Sequence, residues 1–143
     1  MRWTGPYRAG DLIHAKDQRG VLPRDCDAGI YLVSGKKWVG EPSPRCDPLY
    51  VGGLTGDSRR FRTRVGDLLI DLFGFYGEET GHSSGGRSLD SHCESEDRAR
   101  TDLWIGWVED VPCGRCAEIE TYDDLKPRLN KIRPPWCVKH RKF

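Results

Sequence analysis

The sequence predicts a small α/β domain of the α+β kind, in which a mainly antiparallel, three-stranded sheet is flanked by helices. Short runs of β-branched and aromatic residues, bounded by glycine, serine and proline, are typical of strands. Other segments place apolar residues at the three- and four-residue spacing of a helix. With 143 residues, the chain is long enough for one domain with one hydrophobic core.

The first part of the chain predicts an irregular arm followed by a pair of strands. Residues 1–25 show little apolar periodicity and are predicted to form an irregular N-terminal arm. Residues 29–33 and 49–51 have the composition of strands, and glycines follow both runs. Several prolines between residues 40 and 48 predict an extended loop, so the two strands should form a hairpin with a widened turn.

A long amphipathic helix is predicted at residues 59–73, because its apolar side chains share one helical face. These side chains belong to Phe61, Val65, Leu68, Leu69 and Leu72. The glycine-rich stretch 77–86 is predicted to be a loop, and a short helix is predicted at residues 88–92.

The last elements are a strand at residues 103–108 and a helix at residues 115–126, which Pro127 should end. Trp104 and Trp107 on that strand are expected to belong to the core. Residues 26–130 thus form the predicted core of a single domain that covers residues 1–143, and residues 131–143 form a basic tail.

Composition favours a folded, soluble protein, since 36% of the residues are hydrophobic and 31% are charged. No apolar run is long enough to cross a bilayer. The first ten residues lack the apolar stretch of a secretory signal. We therefore expect a cytoplasmic protein without a membrane partner.

Charge is segregated along the chain, although the formal net charge is only +1. Every formally charged residue from position 126 to the end is basic, and a second basic cluster lies at residues 59–64. Segregated charge of this kind predicts a phosphate-binding face. Two solvated runs of charge explain the same pattern equally well.

Cysteine and histidine spacing predicts a metal site. Cys113 and Cys116 have the spacing CxxC, and Cys137 and His140 have the spacing CxxH. The helix that follows the first pair is about 18 Å long at 1.5 Å per residue, and the extended chain after it spans about 33 Å. The second pair can therefore return to the first and complete a structural zinc site. Four reduced, unbound side chains are the alternative.

Motifs at both ends of the core resemble one family. The tripeptide Gly-Ile-Tyr ends at Tyr31, and Tyr-Val-Gly begins at Tyr50, each at a predicted strand. An arginine-rich helix is predicted after the second tripeptide. Near the other end, Glu118 precedes Pro127 and Asn130. This pattern resembles the GIY-YIG nuclease family, and its last part is similar to that in the excision-repair members. The loop between the tripeptides is longer than in many members.

The resemblance implies an endonuclease that hydrolyses phosphodiester bonds, with DNA as the expected substrate. Tyr31 would activate a water molecule as general base, and Tyr50 would orient the water or share that role. Glu118 would hold one Mg²⁺ or Mn²⁺ ion. Arg64 would bind a phosphate oxygen, although counting from Tyr50 selects Arg60.

The chain departs from the family at one catalytic position. Many members carry a histidine or tyrosine one turn after the helix arginine, where this chain has Leu68. His82 in the glycine-rich stretch is the candidate that replaces this side chain, and an ordinary surface histidine is the alternative.

Supporting roles also follow from the resemblance. Gly29 and Gly52 would let the backbone approach the tyrosines, and Asn130 would order the backbone or a tyrosine nearby. The residues expected to contact the nucleic-acid backbone share a positive charge: Arg59, Arg60, Arg62, Lys131 and Arg133. Arg62 is also a further candidate for the catalytic arginine.

Two other functions would use the same site. One is a catalytically weak module that binds nucleic acid, which Leu68 suggests, and the other is a ribonuclease or toxin-like effector. The expected partners are nucleic acid and either a second copy of the chain or a larger nuclease or defence complex. The resemblance implies DNA, and no other sequence feature separates DNA from RNA.

Overall fold

The computed structural model describes residues 1–15, 22–24, 26, 28–55, 65, 66, 68, 69, 72, 84–131, 133–135 and 137–140. Its strands are β1 (Thr4–Arg8), β2 (Ala28–Ser34), β3 (Pro48–Thr55) and β4 (Trp104–Glu109). Its helices are α1 (Ala9–Ala15), α2 (Ser84–Ser95) and α3 (Gly114–Leu125), with 3₁₀ turns at Pro44–Cys46 and Arg100–Asp102. Among the described helices, none is both long enough and apolar enough to cross a membrane.

The four strands form one antiparallel sheet in the order β1-β4-β2-β3. This arrangement confirms the mixed α/β class and the antiparallel hairpin of β2 and β3. It adds one strand, β1, to the three that the sequence predicts.

The prediction of an irregular arm at residues 1–25 is wrong for its first part. β1 pairs with β4, and α1 follows it directly and buries Ala9 and Leu12. Gly5 and Pro6 lie within β1, and both residue types are depleted in strands. The strand forms because a distant strand offers an edge for pairing, and local sequence does not reveal that edge.

Strand pairing fixes which side chains share a face of the sheet. Tyr31 lies opposite Gly52 on β3 and opposite Trp107 on β4, and Val33 lies opposite Tyr50. Opposed residues in antiparallel strands point to the same side, and residues two apart on one strand do so as well. Tyr31, Tyr50 and Trp107 therefore lie on one side of the sheet, which we call the first face.

Helical residues cover the first face. Within the helix predicted at residues 59–73, every described residue is helical, and its leucines and valine are buried with the first-face core. These described residues are Val65, Gly66, Leu68, Leu69 and Leu72. The rest of that predicted helix lies outside the described residues.

α2 is longer than the short helix that the sequence predicts. The prediction of a loop at residues 77–86 is wrong for residues 84–86, which are helical, and residues 77–83 lie outside the described part. Leu89 and Cys93 are buried in the first-face core. Their packing stabilises a helix whose glycines are locally unfavourable.

α3 covers the opposite side of the sheet, which we call the second face. Ala117 belongs to a buried cluster with Ile30, and Leu125 belongs to another with Leu32. The helix ends at Leu125, one residue before the predicted end, because Lys126 adopts a left-handed conformation with a φ of 50° and a proline follows it. The segment after α3 therefore turns away towards the edge of the sheet.

Candidate functional site

Two tyrosines from neighbouring strands stack on the first face. The ring centroids of Tyr31 on β2 and Tyr50 on β3 are 6.2 Å apart, and the ring planes are inclined by 25°. Tyr31 is 3% exposed, whereas Tyr50 is only partly buried. The structure thus brings the two sequence-predicted tyrosines together, with Tyr50 on the more accessible side.

Gly52 makes room for the phenol of Tyr31. A Cβ atom on Gly52 would lie 2.3 Å from Tyr31 Oη, a distance that van der Waals repulsion forbids. The glycine is therefore required by the close approach of a side chain. Gly29 has a different setting, since it lies between Leu54 and Glu109 of the two neighbouring strands.

The segment after α3 lies along the outer edge of β3. The Leu129 amide donates to the Leu49 carbonyl at 2.8 Å. Asn130 Nδ2 donates to the Val51 carbonyl, and Asn130 Oδ1 accepts from the Val51 amide, each at 2.9 Å. The Asn130 side chain therefore orders the backbone of the residue directly after Tyr50.

A cleft of about 910 Å³ opens between α2, β3 and this segment. Its described lining contains three residues that the sequence predicts as functional, Tyr50, Asn130 and Lys131. The other lining residues come from α2 and from the segment after α3: Arg87, Ser88, Ser91, His92, Ser95, Arg128 and Leu129.

The cleft carries positive charge. Arg87, Arg128 and Lys131 belong to its described lining, which contains no carboxylate. Arg128 donates from Nε and Nη2 to the two carboxylate oxygens of Asp47 at 3.1 and 3.2 Å. Arg87 and Lys131 are exposed and form no ion pair with another described residue. An anion in the cleft would therefore meet two cations that no described carboxylate neutralises.

His92 is the most buried residue of the described lining. It is 8% exposed, and its Nε2 atom has no hydrogen-bond partner among the described residues. Burial lowers the pKa of His92, and the nearby Arg128 and Arg98 lower it further, whereas Glu96 and Asp47 act in the opposite direction. The imidazole is therefore neutral near pH 7 and offers one nitrogen as donor and the other as acceptor.

Glu118 lies on α3, the helix that covers the second face. Its side chain is 15% exposed, and Arg115 Nη1 lies 3.8 Å from its Oε2. It does not belong to the described lining of the cleft. Within the described residues, the cleft brings together Tyr50 and Asn130 but not Glu118.

The four sequence-predicted metal ligands lie together beside the start of α3. The ligand atoms of Cys113, Cys116, Cys137 and His140 all lie within 4.8 Å of one another. Cys113 Sγ is 3.6 Å from Cys137 Sγ, which is 3.4 Å from His140 Nδ1. Neighbouring ligands on a tetrahedral zinc ion lie about 3.4–3.8 Å apart, given usual zinc–ligand bond lengths. The cluster can therefore hold a metal ion such as zinc.

The thiols of this cluster influence one another's charge. A hydrogen bond with His140 lowers the pKa of Cys137 to about 6. Burial, together with hydrogen bonds with Cys113 and Cys137, raises the pKa of Cys116 to about 12. One thiolate thus forms easily, but a second beside it is unfavourable. A divalent cation would remove that repulsion, because it stabilises several thiolates at once.

Other predicted site residues are not part of the described cleft. The helix arginines and the loop histidine lie outside the described residues: Arg59, Arg60, Arg62, Arg64 and His82. Arg133 is described, and its Nε and Nη2 donate to the carboxylate of Asp123 on α3 at 2.9 and 2.7 Å. Its guanidinium therefore binds α3.

Sequence reasoning missed Arg87, His92 and Arg128 as functional candidates. One signal was present, because Ser88, Ser91, His92 and Ser95 have the spacing of a single helical face. Their meeting with Tyr50 and Asn130 depends on contacts between residues far apart in the chain, which the spacing does not contain.

Comparisons of the chain with protein-family models, with curated proteins and with solved structures found no match.

Proposed function

We propose that the chain is a metal-dependent endonuclease of the GIY-YIG type, which hydrolyses phosphodiester bonds in nucleic acid, with DNA as its substrate. The observation that carries this proposal is the stacked pair of Tyr31 and Tyr50, with Tyr50 lining a cationic cleft. A phenol beside cations that attract a phosphate is the arrangement that this hydrolysis needs.

In this proposal Tyr50 is the phenol that contacts the attacking water. It lines the cleft, whereas Tyr31 is buried behind it. Tyr31 then positions Tyr50 by stacking against its ring. This assignment reverses the roles that the family resemblance alone implies, and it rests on the difference in burial between the two side chains.

Cationic side chains neutralise the phosphate in the same proposal. Lys131 and Arg128 line the cleft beside Tyr50, and Asp47 holds the Arg128 guanidinium in place through two hydrogen bonds. A preorganised donor is worth most where charge develops in the transition state. Arg64 keeps the role of phosphate clamp that the resemblance implies.

The family resemblance implies Glu118 as the ligand of the Mg²⁺ or Mn²⁺ ion, but α3 covers the second face, whereas Tyr50 lines the cleft on the first face. Mg²⁺ keeps several water ligands and is often held by one or two carboxylates together with substrate phosphates, so a single partly buried carboxylate fits it. An ion bound there would neutralise a phosphate of the substrate on the second face, and not the phosphate beside Tyr50. Arg115 at 3.8 Å would compete for the carboxylate while the ion is absent.

The cluster of three cysteines and His140 has a structural role in this proposal, with zinc as its metal ion. Four protein ligands leave no open position for a substrate or an activated water. The ion would join the start of α3 to the chain that leaves the cleft. It would therefore stabilise the fold without taking part in hydrolysis.

The proposal is tested by incubating the pure protein with plasmid DNA, single-stranded DNA and RNA, with Mg²⁺ or with EDTA. We expect cleavage of DNA in Mg²⁺ alone, and loss of cleavage in Glu118→Gln would support the metal ligand that the resemblance implies. The matched control is Glu120→Gln, since Glu120 lies on the same helix and is exposed. Full activity in Glu118→Gln would reject the metal ligand, and no cleavage of any substrate would reject the nuclease. Cleavage of RNA alone would identify a ribonuclease.

A further inference from the structure

We propose that the cleft binds the sugar–phosphate backbone of a single nucleic-acid strand, with Arg87 and Lys131 contacting phosphates and His92 Nε2 donating to one of them. This inference deepens the proposed function and rests on it for the class of ligand. Binding is a separate property from cleavage, however, and it can be measured without added magnesium.

The α2 wall of the cleft is long enough for more than one phosphate. Its lining residues run from Arg87 to Ser95, which corresponds to about 12 Å at 1.5 Å per residue. Successive phosphates of one strand in duplex DNA are spaced by about 3.4 Å along the axis. Ser88, Ser91 and Ser95 on this wall carry hydroxyls, which donate to phosphate oxygens in many protein–DNA complexes.

His92 provides an independent reason to expect a ligand. Its Nε2 atom is buried and lacks a hydrogen-bond partner among the described residues, although the residue lines the cleft. A buried polar atom without a partner costs free energy, which water or a ligand can recover. A neutral imidazole can donate to a phosphate oxygen without giving up its buried position.

Charge selects an anionic ligand over a neutral one. Three cations line the cleft, and its described lining has no carboxylate that would repel a phosphate. Asp47 accepts from Arg128 Nε and Nη2, so Arg87 and Lys131 are the cleft cations that no described carboxylate pairs with, and they should gain most from new charge-assisted hydrogen bonds. Each should therefore contribute to affinity by contacting a different part of the backbone.

The test is isothermal titration without added magnesium, with four probes: a thymidine hexanucleotide, thymidine 5′-monophosphate, inorganic phosphate and thymidine. We expect the hexanucleotide to bind most tightly, the two small phosphates more weakly and thymidine not at all. Arg87→Ala and Lys131→Ala should each weaken hexanucleotide binding by about tenfold at low salt. Each should also reduce the salt dependence by about one phosphate contact. Lys36→Ala is the control, because Lys36 is exposed and outside the described lining.

His92→Phe removes the imidazole donor and should also weaken binding by about tenfold. If that variant fails to fold, the two surface variants decide the question. Unchanged hexanucleotide affinity in Arg87→Ala and Lys131→Ala, or thymidine binding as well as its monophosphate, would overturn the inference. Binding without any cleavage would support the strand site and reject the nuclease. Cleavage by the unmodified protein, with unaffected hexanucleotide binding in these variants, would support the nuclease and reject the strand site.

Discussion

Gly52 and Gly106 occupy positions where another side chain passes directly over the sheet. A Cβ atom on Gly52 would lie 2.3 Å from Tyr31 Oη, and one on Gly106 would lie 2.5 Å from the ring of Trp38. Neither glycine is needed for a turn, because both lie within strands. The Tyr-Val-Gly motif thus has a local physical cause, which is the close approach of the phenol of Tyr31.

We expect Gly52→Ala to lower the free energy of unfolding by about 1–3 kcal/mol, the usual cost of overpacking a core. The added methyl group must displace the Tyr31 phenol or the strand. Gly66→Ala is the matched control, because Gly66 is helical and a Cβ atom there meets no atom of a described residue within 4 Å. That variant should gain about 0.5–1 kcal/mol. Urea denaturation measures both changes, and equal effects would contradict this account.

Elements with a strong local pattern were predictable, and elements that depend on distant contacts were not. β2, β4 and α3 have apolar composition or spacing that one window of sequence reveals, and Pro127 marks the end of α3. β1 contains Gly5 and Pro6, and α2 begins among glycines. Only pairing with β4 and packing of Leu89 in the core explain these two elements.

The segment after α3 depends on the Asn130 side chain for its position along β3. Asn130→Ala removes both hydrogen bonds to Val51, so we expect a loss of about 1–3 kcal/mol in the free energy of unfolding. Arg133→Ala is a control that breaks an exposed ion pair with Asp123 and should have a much smaller effect. Thermal unfolding measures both, and an unchanged melting temperature in Asn130→Ala would show that other contacts hold the segment.

At the scale of the whole molecule, one stretch of chain links the cleft to the cluster of three cysteines and His140. It leaves α3, lies against β3, lines the cleft with Lys131 and ends at Cys137 and His140. The cysteine spacing predicted the metal cluster because the ligands occur in two local pairs. The cleft was not predictable in the same way, since its walls come from three separate parts of the chain.

We expect one zinc ion per chain, with its loss lowering the melting temperature and weakening nucleic-acid binding. The weakening follows because the bound ion would anchor the chain that lines the cleft. Cys113→Ser should lose the zinc, whereas Cys26→Ser should keep it, since Cys26 lies outside the cluster and donates to the Ala28 carbonyl, as serine also can. Elemental analysis of protein purified without added metal measures the content. Equal zinc in both variants would contradict the assignment.

The comparison of cleavage rates between Tyr50→Phe and Tyr7→Phe tests the central claim most directly. Both changes remove one phenol oxygen, but Tyr50 lines the cleft, whereas Tyr7 stacks on Trp107 and lies outside the described lining. The account predicts that single-turnover cleavage of DNA in Mg²⁺ is slowed by about 10²–10⁴-fold in Tyr50→Phe. Tyr7→Phe should cleave at a rate close to that of the unmodified protein. Equal rates for the two variants would contradict the assignment of Tyr50 to the chemistry.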